Sequence, residues 1–221
     1  DGFDSDTRIL AGDTSELLRI DTTAAPDTGA TIAVRNLTYA FGESARGGGA
    51  LAIEVSGAFI EVTGSEFYLN EAETGGALYI AVTGVSEAPI RLVDLAFEGN
   101  SASESGGAAA ILAPEFVNVE VRDIDFIGNS AVGSGGCLFV QNLAAGDGPI
   151  RVNEVLVDDV SFEQCEAGLD GGGAYVAANT TTVRISGFVE NLAGGDGGGL
   201  FLEGGWSFLS MVNTGLAFNT A

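Results

Sequence analysis

The chain has 221 residues, 46% of them hydrophobic, which is enough to fill the core of one or two compact domains. Its 31 acidic residues face 8 arginines, with no lysine and no histidine, for a formal net charge of −23. A field of that sign repels nucleic acid and anionic membrane surfaces, and no apolar stretch approaches the roughly 20 residues that span a bilayer as a helix, so neither nucleic-acid binding nor direct membrane insertion is expected.

Residues 1–38 read as a lead-in or a degenerate N-terminal coil. Leu17-Leu-Arg-Ile20 and Ala30-Thr-Ile-Ala-Val34 are short aliphatic and β-branched runs, which predict strands. From residue 39 to 221 a repeat takes over, in which an aromatic residue, two spacers and an asparagine precede a glycine pair and a short apolar run. In chain order the copies are Tyr39 to Gly42 with Gly48-Gly49, Phe67 to Asn70 with Gly75-Gly76, and Phe97 to Asn100 with Gly106-Gly107. Phe126 to Asn129 with Gly135-Gly136, Phe162 to Cys165 with Gly171-Gly172, and Phe188 to Asn191 with Gly197-Gly198 follow. A half-copy, Leu216 to Asn219, closes the chain. Successive asparagine places are 28, 30, 29, 36, 26 and 28 residues apart, and the longest step contains Gly146-Asp-Gly-Pro149, which predicts an extra turn. Self-similarity at this period marks a solenoid whose units bury their apolar faces only by stacking.

Each unit carries alternating stretches such as Ile90-Arg-Leu-Val-Asp-Leu-Ala-Phe97, with no sustained 3.6-residue pattern, so helical repeats are disfavoured. Three short strands fit in a unit. The prediction is an all-β, right-handed parallel β-helix of about seven coils of 26–36 residues, a rod about 34 Å long at the strand spacing of a sheet.

Asn70, Asn100, Asn129, Asn191 and Asn219 recur at one corner of the coil. An asparagine there can bond backbone groups at the turn and stack its amide on that of the next coil, so a structural ladder is expected, broken at Gly42 and Cys165. After each glycine pair the aliphatic places point inward, which turns the place between them outward. It holds Ala52, Tyr79, Ala110, Phe139, Tyr175 and Phe201. Tyr79, Phe139, Tyr175 and Phe201 would then form an exposed stripe that docks a neighbouring chain, another domain or a glycan; with the opposite parity these rings fill the core.

Cys137 and Cys165 lie in consecutive coils, where they either form a disulfide or pack as two buried thiols. Asn36-Leu-Thr38 and Asn179-Thr-Thr181 match the N-glycosylation pattern. The run Gly194-Gly-Asp-Gly-Gly-Gly199 resembles one calcium-binding nonapeptide without its tandem copies, so no metal site and no cofactor is expected, calcium being the one weak alternative.

An enzyme of this shape acting on acidic polysaccharides needs converging carboxylates. Asp158-Asp159 is the adjacent aspartate pair, and Asp123 and Asp125 flank Ile124. With no histidine or lysine to assist and a charge that opposes an anionic polymer, a polysaccharide lyase or hydrolase is the alternative and not the expectation. Absence of lysine fits a carboxylate-rich surface in a saline habitat and equally an arginine-using, GC-rich genome.

Phe-x-x-Asn followed by Gly-Gly-Ala and an aliphatic residue resembles the repeat of chlamydial-type polymorphic outer membrane proteins. Gly48-Gly-Ala-Leu51, Gly75-Gly-Ala-Leu78 and Gly106-Gly-Ala-Ala109 carry the glycine half. The resemblance spans some 180 residues, from 39 to 219. It implies a β-helix used at the cell surface for adhesion or display, hence an extracellular, non-enzymatic segment of a larger surface or filament protein. No C-terminal autotransporter barrel accompanies it in this sequence. Because Asn219-Thr-Ala221 stops just ahead of another glycine pair, the expectation is that the native polypeptide continues or that the coil end stacks on another subunit in a fibre.

Overall fold

The computed structural model describes residues 8–10, 17–21, 30–83, 87–114, 116–142, 152–203 and 208–221. They form a parallel β-solenoid, all strands and no helix among the described residues. Gly146–Pro149 lies outside them.

Each turn supplies one strand or broken strand to each of three sheets. The long sheet has 11 strands and is built around Ala58–Tyr68, Ile90–Glu98, Asn118–Ile127 and Val152–Glu163. A corner sheet stacks six short strands: Glu43–Gly47, Glu71–Thr74, Ser101–Ala102, Ser130–Ala131, Glu166–Ala167 and Leu192–Ala193. The post-glycine sheet stacks seven, from Leu18–Asp21 and Leu51–Val55 to Ala174–Val176 and Leu200–Leu202. Every pairing is parallel, and it keeps the repeat in register, as in Phe97 opposite both Phe67 and Phe126.

The solenoid has about six turns where the repeat count predicts seven, because a full turn needs a strand in all three sheets. The half-copy at the C-terminus contributes Phe208–Val212 and Gly215–Ala217 to the long sheet but meets the corner sheet only through a single bridge, Thr220 to Leu192. Ahead of the repeats, Leu18–Asp21 pairs with Leu51–Val55, and Ala30–Arg35 pairs with Ala58–Tyr68.

The interior holds two kinds of ladder. Tyr39, Phe67, Phe97, Phe126, Phe162 and Phe188 are fully buried and stack with ring centroids 4.6 to 5.0 Å apart. Beside them run columns of aliphatic side chains such as Ile53, Ile80, Ile111 and Val140. Identical residues recur because each ring rests on its own equivalent one strand away, and deleting one to alanine would cost about 3–5 kcal/mol.

Strand alternation slips once per turn. Ile90 and Leu92 face inward, but so do Leu95 and Phe97, because Asp94 takes a left-handed backbone (φ 57°) and drops out of the ladder register. Asp123 and Asp159 do the same one and two turns on. A second left-handed column precedes the asparagines: Phe41, Leu69, Gly99, Gly128, Gln164, Glu190 and Phe218. The third is the first glycine of each pair, such as Gly106 (φ 71°). Three such corners let the chain return on itself within one turn.

Candidate functional site

The asparagines form a one-way ladder. Asn100 Oδ1 accepts from the backbone N–H and the Nδ2 of Asn70, both at 2.9 Å, while Asn100 N–H and Nδ2 donate to Asn129 Oδ1 at 2.8 and 2.9 Å. Each Nδ2 also reaches back to the carbonyl of an aromatic residue, Phe67 for Asn100 and Phe97 for Asn129. Asn191 and Asn219 repeat the pattern, with Asn219 Oδ1 accepting from Asn191 at 3.1 and 2.8 Å. The four inner members are buried, so every one of these groups would otherwise be stranded away from water.

The ladder breaks between Asn129 and Asn191, where Cys165 takes the asparagine place and offers no amide oxygen to Asn129. Cys165 is instead bonded to Cys137, with Cα atoms 5.5 Å apart. Cys137 stands where Ala77 and Ala108 follow their glycine pairs, and its sulfur lies 3.3 Å from Asn129 Nδ2. A covalent rung thus replaces a hydrogen-bonded one. Closing a loop across a separation of 28 residues, it should stabilise the fold by about 3–4 kcal/mol. Both sulfurs sit in residues no more than 1% exposed, so native protein is expected to resist thiol labelling under mild reductant. Denaturant melts of the Cys137→Ala/Cys165→Ala double variant should show the full loss; unchanged melting would refute the role.

The outer stripe has the expected parity and a different exposure. Ala110, Phe139, Tyr175 and Ala177 form an apolar cluster separate from the main core, with Tyr79 and Phe201 packed against it. Phe139 and Tyr175 are only 8% exposed, where alternation alone predicts an open stripe; Tyr79 and Phe201 are half-buried. Stacking is the reason. Phe139, Tyr175 and Phe201 lie face to face at 4.9 and 5.4 Å, so Tyr175 loses both faces to neighbouring rings, while Phe139 loses one to Tyr175 and has Ala110 opposite it in the preceding turn. Burial, and then the Glu203 carboxylate that accepts the Tyr175 hydroxyl hydrogen bond at 2.5 Å, push the Tyr175 phenol up from its ordinary value. What remains is a ridge of ring edges, which suits an apolar contact better than a flat platform for a sugar ring.

The candidate carboxylates are divided between a corner and a sheet face, with Asp123 and Asp159 at equivalent corner places of adjacent turns. Asp123 and Asp159 are the left-handed corner residues, and Asp125 is exposed in register with Ala96 and Ser161. Asp158 accepts from Arg184 Nε and Nη2 at 3.1 and 2.6 Å, and Arg122 lies 3.5 Å from the same carboxylate. Further ion pairs, Arg91 with Glu120 and Arg35 with Glu61, run along the same sheet face. At the glycine-rich run, Asp196 N–H donates to Asp170 Oδ1 at 2.8 Å, and among the described residues no three acids, cysteines or histidines cluster as a metal site. Of the sequon asparagines, Asn36 is an exposed left-handed corner residue, and Asn179 is exposed on a strand where Thr181 is fully buried.

Sequence reasoning missed the corner column. Its signal was present, since Asp94, Asp123 and Asp159 each stand where inward parity slips by one place. Concavities on the surface include a groove of about 520 Å³ over the corner sheet, lined by Glu71, Ser101, Ser130, Val132 and Glu166, one of about 470 Å³ at the last turn, lined by Leu209, Met211, Leu216 and Phe218, and one of about 250 Å³ on the long sheet, lined by Arg91, Glu120 and Glu154.

No family model, curated protein or solved structure matches the chain.

Proposed function

We propose that this chain is a non-enzymatic structural or adhesive β-solenoid, part of an extracellular cell-surface or filament protein, whose partners are protein neighbours or glycans held on its outer faces. The observation that carries this reading is the fate of its charged groups. Asp158 is held by two guanidinium groups, Asp123 and Asp159 turn corners, and the paired arginines of the long sheet bridge successive turns. A carboxylate held by two guanidinium groups, as at Asp158, is not free to act as a general acid or base, and the corner residues Asp123 and Asp159 are exposed to solvent rather than enclosed in a cleft.

Location at the cell surface draws support from two sources. A buried disulfide persists in oxidising compartments and is rare in the cytosol. The paired repeats also resemble those of polymorphic outer membrane proteins, in which such rods display contact surfaces.

The test has two arms. Incubated with pectate, alginate and hyaluronan, with and without calcium, the protein should release no reducing ends and no unsaturated uronate; sustained turnover would overturn the non-enzymatic reading. Beads coated with folded protein should be retained on protein- or glycan-coated surfaces more than beads coated with unfolded protein. Equal retention would overturn the adhesive one.

A further inference from the structure

The corner before the asparagines requires a left-handed backbone in every turn, and glycine meets that requirement without steric penalty at Gly99 and Gly128. Two consecutive turns at one end of the column instead carry Phe41 (φ 60°) and Leu69 (φ 53°), and these side chains are 58% and 56% exposed. Both are adjacent in space: Phe41 N–H bonds to the Tyr68 carbonyl, and Leu69 N–H to that of Glu98. Leu69 leans over Gly99, where a Cβ would meet its Cδ2 at 2.9 Å. Later turns use Gln164 and Glu190 at the same place, and Phe218 closes the column on the last turn, away from Glu43 and Glu71.

The surroundings add a second cost that folding does not explain. Glu43 and Glu71 stand directly opposite each other in the corner sheet, both exposed, and like charges so placed repel. Glu66 and Glu98 are exposed on the other side of the corner, while Arg46 lies further along the short strand of Glu43. An exposed apolar centre is thereby rimmed by carboxylates.

We infer that the Phe41/Leu69 corner is a docking site for a cationic amphipathic polypeptide segment, one that presents apolar side chains between lysines or arginines. Such a partner covers the two apolar groups and neutralises the Glu43/Glu71 pair, relieving both costs at once. A second copy of this chain does not fit, because each carries a formal charge of −23. The inference holds whether or not the rod is structural, since it depends only on this corner.

The test uses a labelled synthetic peptide of alternating leucine and lysine, followed by fluorescence anisotropy, with leucine/glutamine and leucine/glutamate peptides beside it. Wild-type protein is expected to bind the lysine peptide best, with affinity falling as salt rises. Phe41→Gly/Leu69→Gly should weaken binding roughly tenfold or more. The same variant should melt no lower than wild type, because glycine is the favoured residue at both φ values, so lost binding cannot be put down to misfolding. Glu43→Gln/Glu71→Gln should weaken binding and flatten its salt dependence, and Leu169→Ser, an exposed apolar group on another loop, should leave it unchanged. Equal binding by Phe41→Gly/Leu69→Gly and wild type, equal binding of the glutamine and lysine peptides, or no binding by wild type would each overturn the proposal.

Discussion

Asn100→Ala is expected to lower stability by about 3–5 kcal/mol, a large share of the roughly 5–15 kcal/mol available to a domain. The substitution strands the backbone N–H of Asn70, leaves its Nδ2 with only the longer bond to the Tyr39 carbonyl, and removes the Nδ2 donor from the Phe67 carbonyl. Both asparagines are buried, at 0 and 1% exposure, so water cannot replace the lost bonds without opening the turn. Asn219→Ala is the control. It removes the equivalent acceptor from Asn191, but on the last turn, where Asn219 is partly exposed and water can substitute. Urea unfolding followed by circular dichroism should separate the two by at least about 1–2 kcal/mol. Equal losses would mean that the ladder adds nothing beyond local turn bonding.

Gly107→Ala is expected to be more damaging still, by more than about 4 kcal/mol or to the point of preventing folding. Gly107 does not need glycine for its φ, unlike Gly106 before it; it needs the space. A Cβ at Gly107 would lie closer than 3.0 Å to the carbonyl groups of Gly136 and Ser130 in the next turn. Those are backbone atoms fixed by the parallel ladder, so no side-chain rotation relieves the clash and the two turns would have to separate. Gly187 is the counterpart: a Cβ there meets nothing within 4 Å, and its φ is not left-handed, so Gly187→Ala should be neutral or stabilise by up to about 1 kcal/mol. The two variants measured side by side distinguish close approach from a general need for glycine. If Gly107→Ala folds as stably as Gly187→Ala, the turn spacing must be softer than the structure indicates.

The enzyme alternative illustrates how a sequence motif and its surroundings diverge. Asp158-Asp159 is an adjacent pair in sequence, yet Asp158 is drawn to Arg184 and Arg122 on the sheet face while Asp159 reverses the backbone at the corner. Adjacent residues on either side of a left-handed corner do not share a direction. The outer stripe diverges in another way. Alternation correctly placed Phe139 and Tyr175 outside the main core, but how much of each ring stays open depends on neighbours a full turn away.

What the amino-acid sequence determined by itself is the solenoid, its three-strand turn, the asparagine ladder and the inward parity of the post-glycine strands. These follow from one repeat, because identical residues at a fixed period need only stack on their own equivalents. What the tertiary structure decided is whatever depends on the offset between turns. It brought Cys137 within 5.5 Å of Cys165, matched Asp158 with Arg184 across 26 residues, set Glu43 against Glu71 and closed the middle of the aromatic stripe. It also decided the corners. A left-handed residue slips the alternation by one place, and only the return path of the whole turn sets where that slip must fall. Contacts within a strand are dictated by local periodicity; contacts between residues 26 to 36 positions apart exist only once the turns are stacked in register.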